Sequence, residues 1–315
     1  IPLTRDAIRP GAAYADPYGH SYVIADWVAQ GADKNGMLVG ADAQPDGTIG
    51  RRRFWRGAFL FTPETREAGA GFKAFRPLIY RGDSIHALDN GEITKGNRPF
   101  SLEQYQGSKD DFYDRVEALI NPRPLDPTQA LNVLLDALHE QLKSRVLSVQ
   151  NGEDYKKKNN GVIDMPEDHA IFETAGAWED YSTPSRDMRA LIAMDTVMGF
   201  PDIVKRRPER FGIAKAALDG AVKDVKTHLD KQLDKRRFSY VRSDGSNIEL
   251  SLKQAIARAK ELEMAYNPND CVEIRWGAAE GSDERATCRR HAPTDQLNRM
   301  KRYRSWFAER KRPPR

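Results

Sequence analysis

The sequence predicts an α+β fold, β-rich at its start and largely helical after about residue 100. Two observations carry this. Before residue 100, short runs of β-branched and aromatic residues recur between Gly, Pro and Asp, as strands bounded by turns do. After it, apolar residues fall three and four apart over long stretches, the spacing of one helix face. The expected division is a β-rich segment over 1–100 and a mainly helical segment over 101–315 with a hairpin near 238–250, either as two segments or as one continuous domain.

In order, SYVIADWV (21–28), GMLVGADA (36–43) and RRFWRGAFLF (52–61) read as strands, with PDGT (45–48) as a turn. FKAFRPLIYR and SIHAL predict further strands around Arg81-Gly82-Asp83, itself read as a turn rather than an adhesion motif. SLEQYQGSKDDFYDRVEALI reads as a helix capped by Ser101, stopped by NPRPLDP. The next helix starts at Asp126-Pro127, carries Leu131, Leu134, Leu135, Leu138 and Leu142 at helical spacing, and is expected to end before Asn151-Gly152. His139 within it reads as a surface or satisfied histidine, and YKKKNNG (155–161) as a polar loop. A helix capped near Thr183 or Ser185, another over 216–236, a hairpin turning at Asp244-Gly245, a helix over 251–266 and a basic helix from Thr294 complete the chain.

Composition excludes several functions. Fifty basic against 46 acidic residues give a net charge of +4, too balanced for a dedicated nucleic-acid binder. No run approaches the ~18 apolar residues of a spanning helix, and no glycine loop fits a nucleotide or dinucleotide site, so neither a cofactor nor a nucleotide partner is expected. Basic residues do cluster locally. Arg51, Arg52, Arg53 and Arg56 surround Phe54 and Trp55, and the chain ends RMKRYRSWFAERKRPPR. Such patches suit an anionic polymer or envelope surface, or simply a solvated face. The two cysteines, Cys271 and Cys288, flank a Gly-Ser-Asp turn. They predict a disulfide and an exported location, periplasmic or extracellular, with free thiols or a reactive Cys271 as alternatives. They offer no metal pattern.

Two groups carry candidate chemistry. EDHAIFETAGAWEDYSTPSRD gathers Asp168, His169, Glu173, Glu179, Asp180 and Tyr181 beside Trp178. With Trp178, Asp180 and Tyr181 lining a groove, these acids would suit a carbohydrate-active enzyme. The second group is the start of the chain, ADPYGHSYVIADWVAQGADKNGMLVGADAQ (15–44), which sets His20 before one strand and Asp42 at the end of the next, with Gln44 two residues on. A cysteine hydrolase needs an imidazole base and a polar group that fixes its tautomer. Adjacent strands supply that geometry.

PGAAYADPYGHSYVIADW and ADAQPDGTIGRRRFW, spanning Pro10 to Trp55, resemble blocks of the papain-like bacterial wall amidases and peptidases of the CHAP and NlpC type. The resemblance implies an antiparallel sheet of that kind, with His20 as base, Asp42 as its orienting acid and Gln44 as supporting amide. It implies hydrolysis of an amide bond in a peptide or cell-wall polymer. In those families the nucleophilic cysteine precedes the strands on a helix, whereas the cysteines here lie more than ~200 residues downstream. The nucleophile is therefore expected in an upstream segment of the same precursor, outside this sequence. A degenerate site is the alternative. The competing function is a non-catalytic exported protein holding an anionic glycan, wall polymer or envelope surface through the patch Arg51 to Arg56, with Arg51, Arg53 and Trp55 as binding residues, and through the basic C-terminus.

Overall fold

Strand alternation in the first forty residues builds an antiparallel sheet. The computed structural model describes residues 1–32, 34–43, 49–64, 69–96, 98–173 and 176–313, so the expected turn at 45–48 lies outside the described residues. The chain divides into two compact units. Unit 1 comprises Ile1–Asp126 with Pro208–Ile213, and unit 2 comprises Pro127–Arg207 with Ala214–Arg315. The architecture is α+β, with strands concentrated in the N-terminal region and helices in the C-terminal region. No helix among the described residues is long and apolar enough to cross a membrane.

In unit 1, β1 (Ala13–Ala15), β2 (Ser21–Val28), β3 (Met37–Ala43), β4 (Ile49–Arg53) and β5 (Gly71–Lys73) form one sheet in the order β4-β3-β2-β1-β5. Neighbours pair antiparallel, with a register shift in β2 between Ile24 and Asp26. One face is buried through Tyr14, Tyr22, Ile24, Leu38 and Phe72, the alternate positions that a pleated strand turns one way. A hairpin of β6 (Leu78–Arg81) and β7 (Ser84–Ala87) turns at Gly82, whose φ of 62° lies in the left-handed region that favours glycine. It is followed by α1 (Asn90–Lys95) and α2 (Lys109–Ile120).

Two expectations fail here for packing reasons. The strand expected over 52–61 stops at Arg53. Phe54 to Phe61 are buried without alternation, because the segment turns at Trp55 and enters the core as a loop. Its carbonyls are met by tyrosine hydroxyls. Tyr22 donates to Ala58 O at 3.2 Å, Tyr14 to Leu60 O at 2.8 Å and Tyr113 to Phe59 O at 2.7 Å, so buried backbone acceptors stay satisfied. The helix expected from Ser101 starts instead at Lys109. Ser108 caps it in a box with Asp111, and only a short 3-10 turn precedes it. This α2 belongs to unit 1, where Phe112 stacks on Phe61 at 3.6 Å, so the helical segment does not begin a new unit at residue 101.

Unit 2 is built on α3 (Pro127–Lys158), which packs against α4 (Ala177–Tyr181), α5 (Pro184–Met198) and α7 (Leu218–Lys235). Between the last two lies α6 (Phe200–Arg206). The helix α3 also packs on β8 (Arg237–Val241), which pairs with β9 (Asn247–Ser251) in the expected hairpin. The buried stripe of α3 runs Leu131, Leu135, Leu138, Leu142, Arg145, Val149, Gly152, Lys156. The helix therefore continues through Asn151-Gly152 and takes in Tyr155 to Lys158, four residues expected to be loop. Gly152 does not cap anything. A Cβ there would sit 2.8 Å from Arg275 Nη1, so the glycine makes room for a side chain. His139 Nε2 bonds Arg237 O at 2.8 Å. The helix expected over 251–266 divides at Arg258 into α8 (Leu252–Ala257) and α9 (Ala259–Leu262). Beyond them come α10 (Val272–Arg275) and α11 (Thr294–Ala308).

Candidate functional site

The His20 side chain is aimed by the turn that joins β1 to β2. Asp16 Oδ1 accepts from Tyr18 N at 2.8 Å and His20 N at 2.9 Å. Asp16 N donates to His20 O at 2.8 Å, and Gly19 takes a φ of 88°. An aspartate bonding the backbone two residues on is an Asx turn, and a glycine accepts the left-handed conformation without strain. Asp16 was absent from the sequence-predicted site. Its signal was the Asp-Pro-Tyr-Gly spacing just before the histidine.

The strands then bring His20 and Asp42 together. His20 Nε2 lies 2.9 Å from Asp42 Oδ2. The imidazole is 36% exposed and the carboxylate 3% exposed. Arg52 Nε approaches the same oxygen at 3.5 Å. Asp42 Oδ1 is buried with no hydrogen-bond partner among the described residues. The imidazole stands edge-on to Tyr22, with ring centroids 4.7 Å apart, and Tyr22 stacks on Phe59 at 4.5 Å. Gly40 is small for the same wall, since a Cβ there would lie 2.8 Å from the Phe59 ring. The carboxylate holds Nε2 as the donor, so the lone pair of a neutral ring sits on Nδ1. A partly exposed imidazole with a buried acid behind it can move a proton at Nδ1. Gln44 lies outside the described residues.

The other predicted residues disperse. Arg51 and Arg53 are exposed on β4, but Trp55 is buried. Arg56 is buried too, paired with Asp110 at 2.6 Å, Asp114 at 2.7 Å and Glu117 at 3.3 Å. The basic-aromatic cluster is thus split between surface and core, because Phe54 and Trp55 bury their large apolar rings in the core. Two of the C-terminal arginines are partly engaged in ion pairs, while Lys301 and Arg302 stay exposed. Arg304 reaches Glu263 at 2.8 Å and Arg310 reaches Asp195 at 2.8 Å. Trp178 is a core residue whose Nε1 donates to Ile171 O at 3.1 Å, while Asp180 is exposed and Tyr181 stacks on Tyr155 at 4.2 Å. These three do not line a common groove wall, since an indole packed in the core is closed to a ligand.

Cys271 and Cys288 form a disulfide in unit 2, with Cα atoms 5.7 Å apart. Their sulfurs lie near Glu273. A cystine supplies neither a nucleophile nor a thiolate ligand. Comparison of the chain with protein-family models, curated proteins and solved structures finds no match.

Proposed function

We propose that unit 1 carries the base and orienting acid of a cysteine-type amide hydrolase acting on a peptide or cell-wall polymer. The observation that supports this is the 2.9 Å contact between His20 Nε2 and Asp42 Oδ2, with the imidazole exposed and the carboxylate buried. The fold would be the papain-like one that Pro10 to Trp55 resembles. The thiol would come from an upstream segment of the same precursor, because both cysteines of this sequence are joined to each other.

In that reaction His20 Nδ1 takes the thiol proton, and the thiolate attacks the amide carbonyl. The imidazolium returns the proton to the departing amine, and water then cleaves the thioester with His20 again as base. Asp42 holds the ring and stabilises its charged form. Asp16 positions the histidine backbone and Tyr22 flanks the ring. The disulfide is compatible with an exported, oxidising location.

The test uses the natural precursor, with release of amines from a wall polymer or peptide as the readout. Activity should be blocked by thiol alkylation and lost in His20→Ala. Full hydrolysis by His20→Ala would refute the assignment. The alternative of an anionic-surface binder rests on the exposed Arg51 and Arg53 of β4 and the exposed Lys301 and Arg302 of the basic C-terminal helix, and predicts instead that Arg51→Ala with Arg53→Ala weakens retention of the protein on an anionic polymer.

A further inference from the structure

One face of the β6–β7 hairpin in unit 1 is apolar and open. The register sets Leu78 opposite Ala87 and Tyr80 opposite Ile85, and alternate residues of a strand share a face. These four side chains therefore stand together. Leu78 is 66% exposed, Tyr80 79% and Ile85 60%. Phe75, 78% exposed, precedes Leu78 by three residues, which is at most about 10 Å of extended chain. The opposite face carries Ile79 and Arg81 and is anchored to the unit. Ile79 is half-buried, and Arg81 pairs with Glu92 of α1.

Two aromatic and two aliphatic side chains exposed to this degree leave on the order of 500 Å² of apolar surface in water. A contiguous patch of that size is where interaction sites lie. The hairpin is also a two-stranded sheet of its own, an arrangement with little stability until further packing covers its apolar face. Three features point to a second copy as the occupant. The face carries no charged side chain, so it meets itself without setting like charges opposite each other. With the two hairpins antiparallel about a two-fold axis, their tips, each with an exposed Asp83, fall at opposite ends. Doubled, the patch removes about 1,000 Å² from water, the least that a specific interface needs. An anionic lipid surface fits less well, because the arginines flanking the strand are engaged. Arg76 donates to Leu88 O at 2.6 Å and to Asn90 Oδ1 at 2.9 Å, and Arg81 donates to Glu92.

We propose that two copies of the chain associate through this face, hairpin on hairpin about a two-fold axis, with Leu78, Tyr80 and Ile85 at the centre and Phe75 at the rim. At the low end of interface size the dimer is weak and reversible, with a dissociation constant in the micromolar range or above. The contact does not involve His20 or Asp42, and it holds whether or not that pair is catalytic.

The experiment is sedimentation equilibrium of the full chain at concentrations from about 1 μM to 1 mM, the span that brackets a weak contact. The wild type should shift from monomer to dimer across that range. Ile85→Lys and Ile85→Glu each set like charges between the apposed faces, and each should weaken association at least about 100-fold. Ile85 is exposed, so neither variant disturbs a core, and an unchanged circular dichroism spectrum checks this. Mixed in equal amounts, the two variants bring opposite charges together and should associate again. A wild type that stays monomeric throughout overturns the proposal without any variant. So does a dimer that both variants keep, or a mixture that stays monomeric. A monomeric wild type that floats with phosphatidylglycerol vesicles would overturn it in favour of a lipid surface.

Discussion

The tautomer of His20 is the most direct consequence of the unit 1 geometry. Neutral imidazole is protonated on either nitrogen, and the Asp42 carboxylate at 2.9 Å stabilises the form with hydrogen on Nε2. A hydrogen bond to a charged partner contributes about 1.5–3 kcal/mol, roughly a 10- to 150-fold bias at tenfold per 1.4 kcal/mol. Only about 1–10% of neutral rings would then carry the proton on Nδ1. Two substitutions separate orientation from charge. In Asp42→Asn, the amide oxygen takes the Oδ2 position, where His20 Nε2 and Arg52 Nε both converge. The NH2 then falls at the Oδ1 position, which is buried without a partner among the described residues. That variant should keep the Nε2–H tautomer while losing about 1–3 kcal/mol from the stranded amide. Asp42→Ala should lose the tautomer bias. Long-range nitrogen–proton NMR on histidine-labelled protein reads this directly, with six histidines to resolve. A wild-type His20 that is neutral and protonated on Nδ1, or a mixture that Asp42→Ala does not change, would refute the reasoning.

Three further outcomes concern unit 2. Replacing both Cys271 and Cys288 by serine opens a loop of 17 residues' separation. The chain-entropy relation puts the loss at about 3 kcal/mol, readable as a lower urea midpoint, and an unchanged midpoint contradicts it. Asp187→Ala leaves the Arg145 guanidinium buried without its carboxylate, and should cost about 3–5 kcal/mol in the same assay. Glu273 controls an acid limb. Burial opposes its ionisation, but hydrogen bonds from Thr287 and from Ser243 N and Oγ outweigh that and hold its carboxyl below the ordinary 4.5. Its stabilising contribution is complete above that value and is lost as pH falls through the lower folded one. Glu273→Gln should therefore flatten the decline of stability below about pH 4.5, measured by urea titrations at stepped pH.

The candidate site was more legible than the core around it. His20 and Asp42 sit at strand ends linked by a short connection, so pairing of neighbouring strands was enough to predict their meeting. Asp16 escaped notice because an Asx turn serves the backbone and leaves no periodic trace. The fate of 52–61 was not legible either. An aromatic run bounded by arginines fits a strand, and only the tyrosine hydroxyls contributed by β1, β2 and α2 make it workable as a buried loop. Trp55 and Trp178 misled in the same way, since a tryptophan that can line a groove can equally fill a core.

By itself the sequence determined the α+β order of the elements, the leucine face of α3, the hairpin at Asp244-Gly245 and the pairing of Cys271 with Cys288. Each of these is a matter of local spacing, set by strand pleat, helix pitch or the reach of a short loop. Only the tertiary structure decided which charges are buried and which partners they meet. Arg145 finds Asp187 42 residues away, and Arg275 finds Tyr181 94 residues away. A local period says which way a side chain points, whereas the atom it meets is chosen by packing between distant segments.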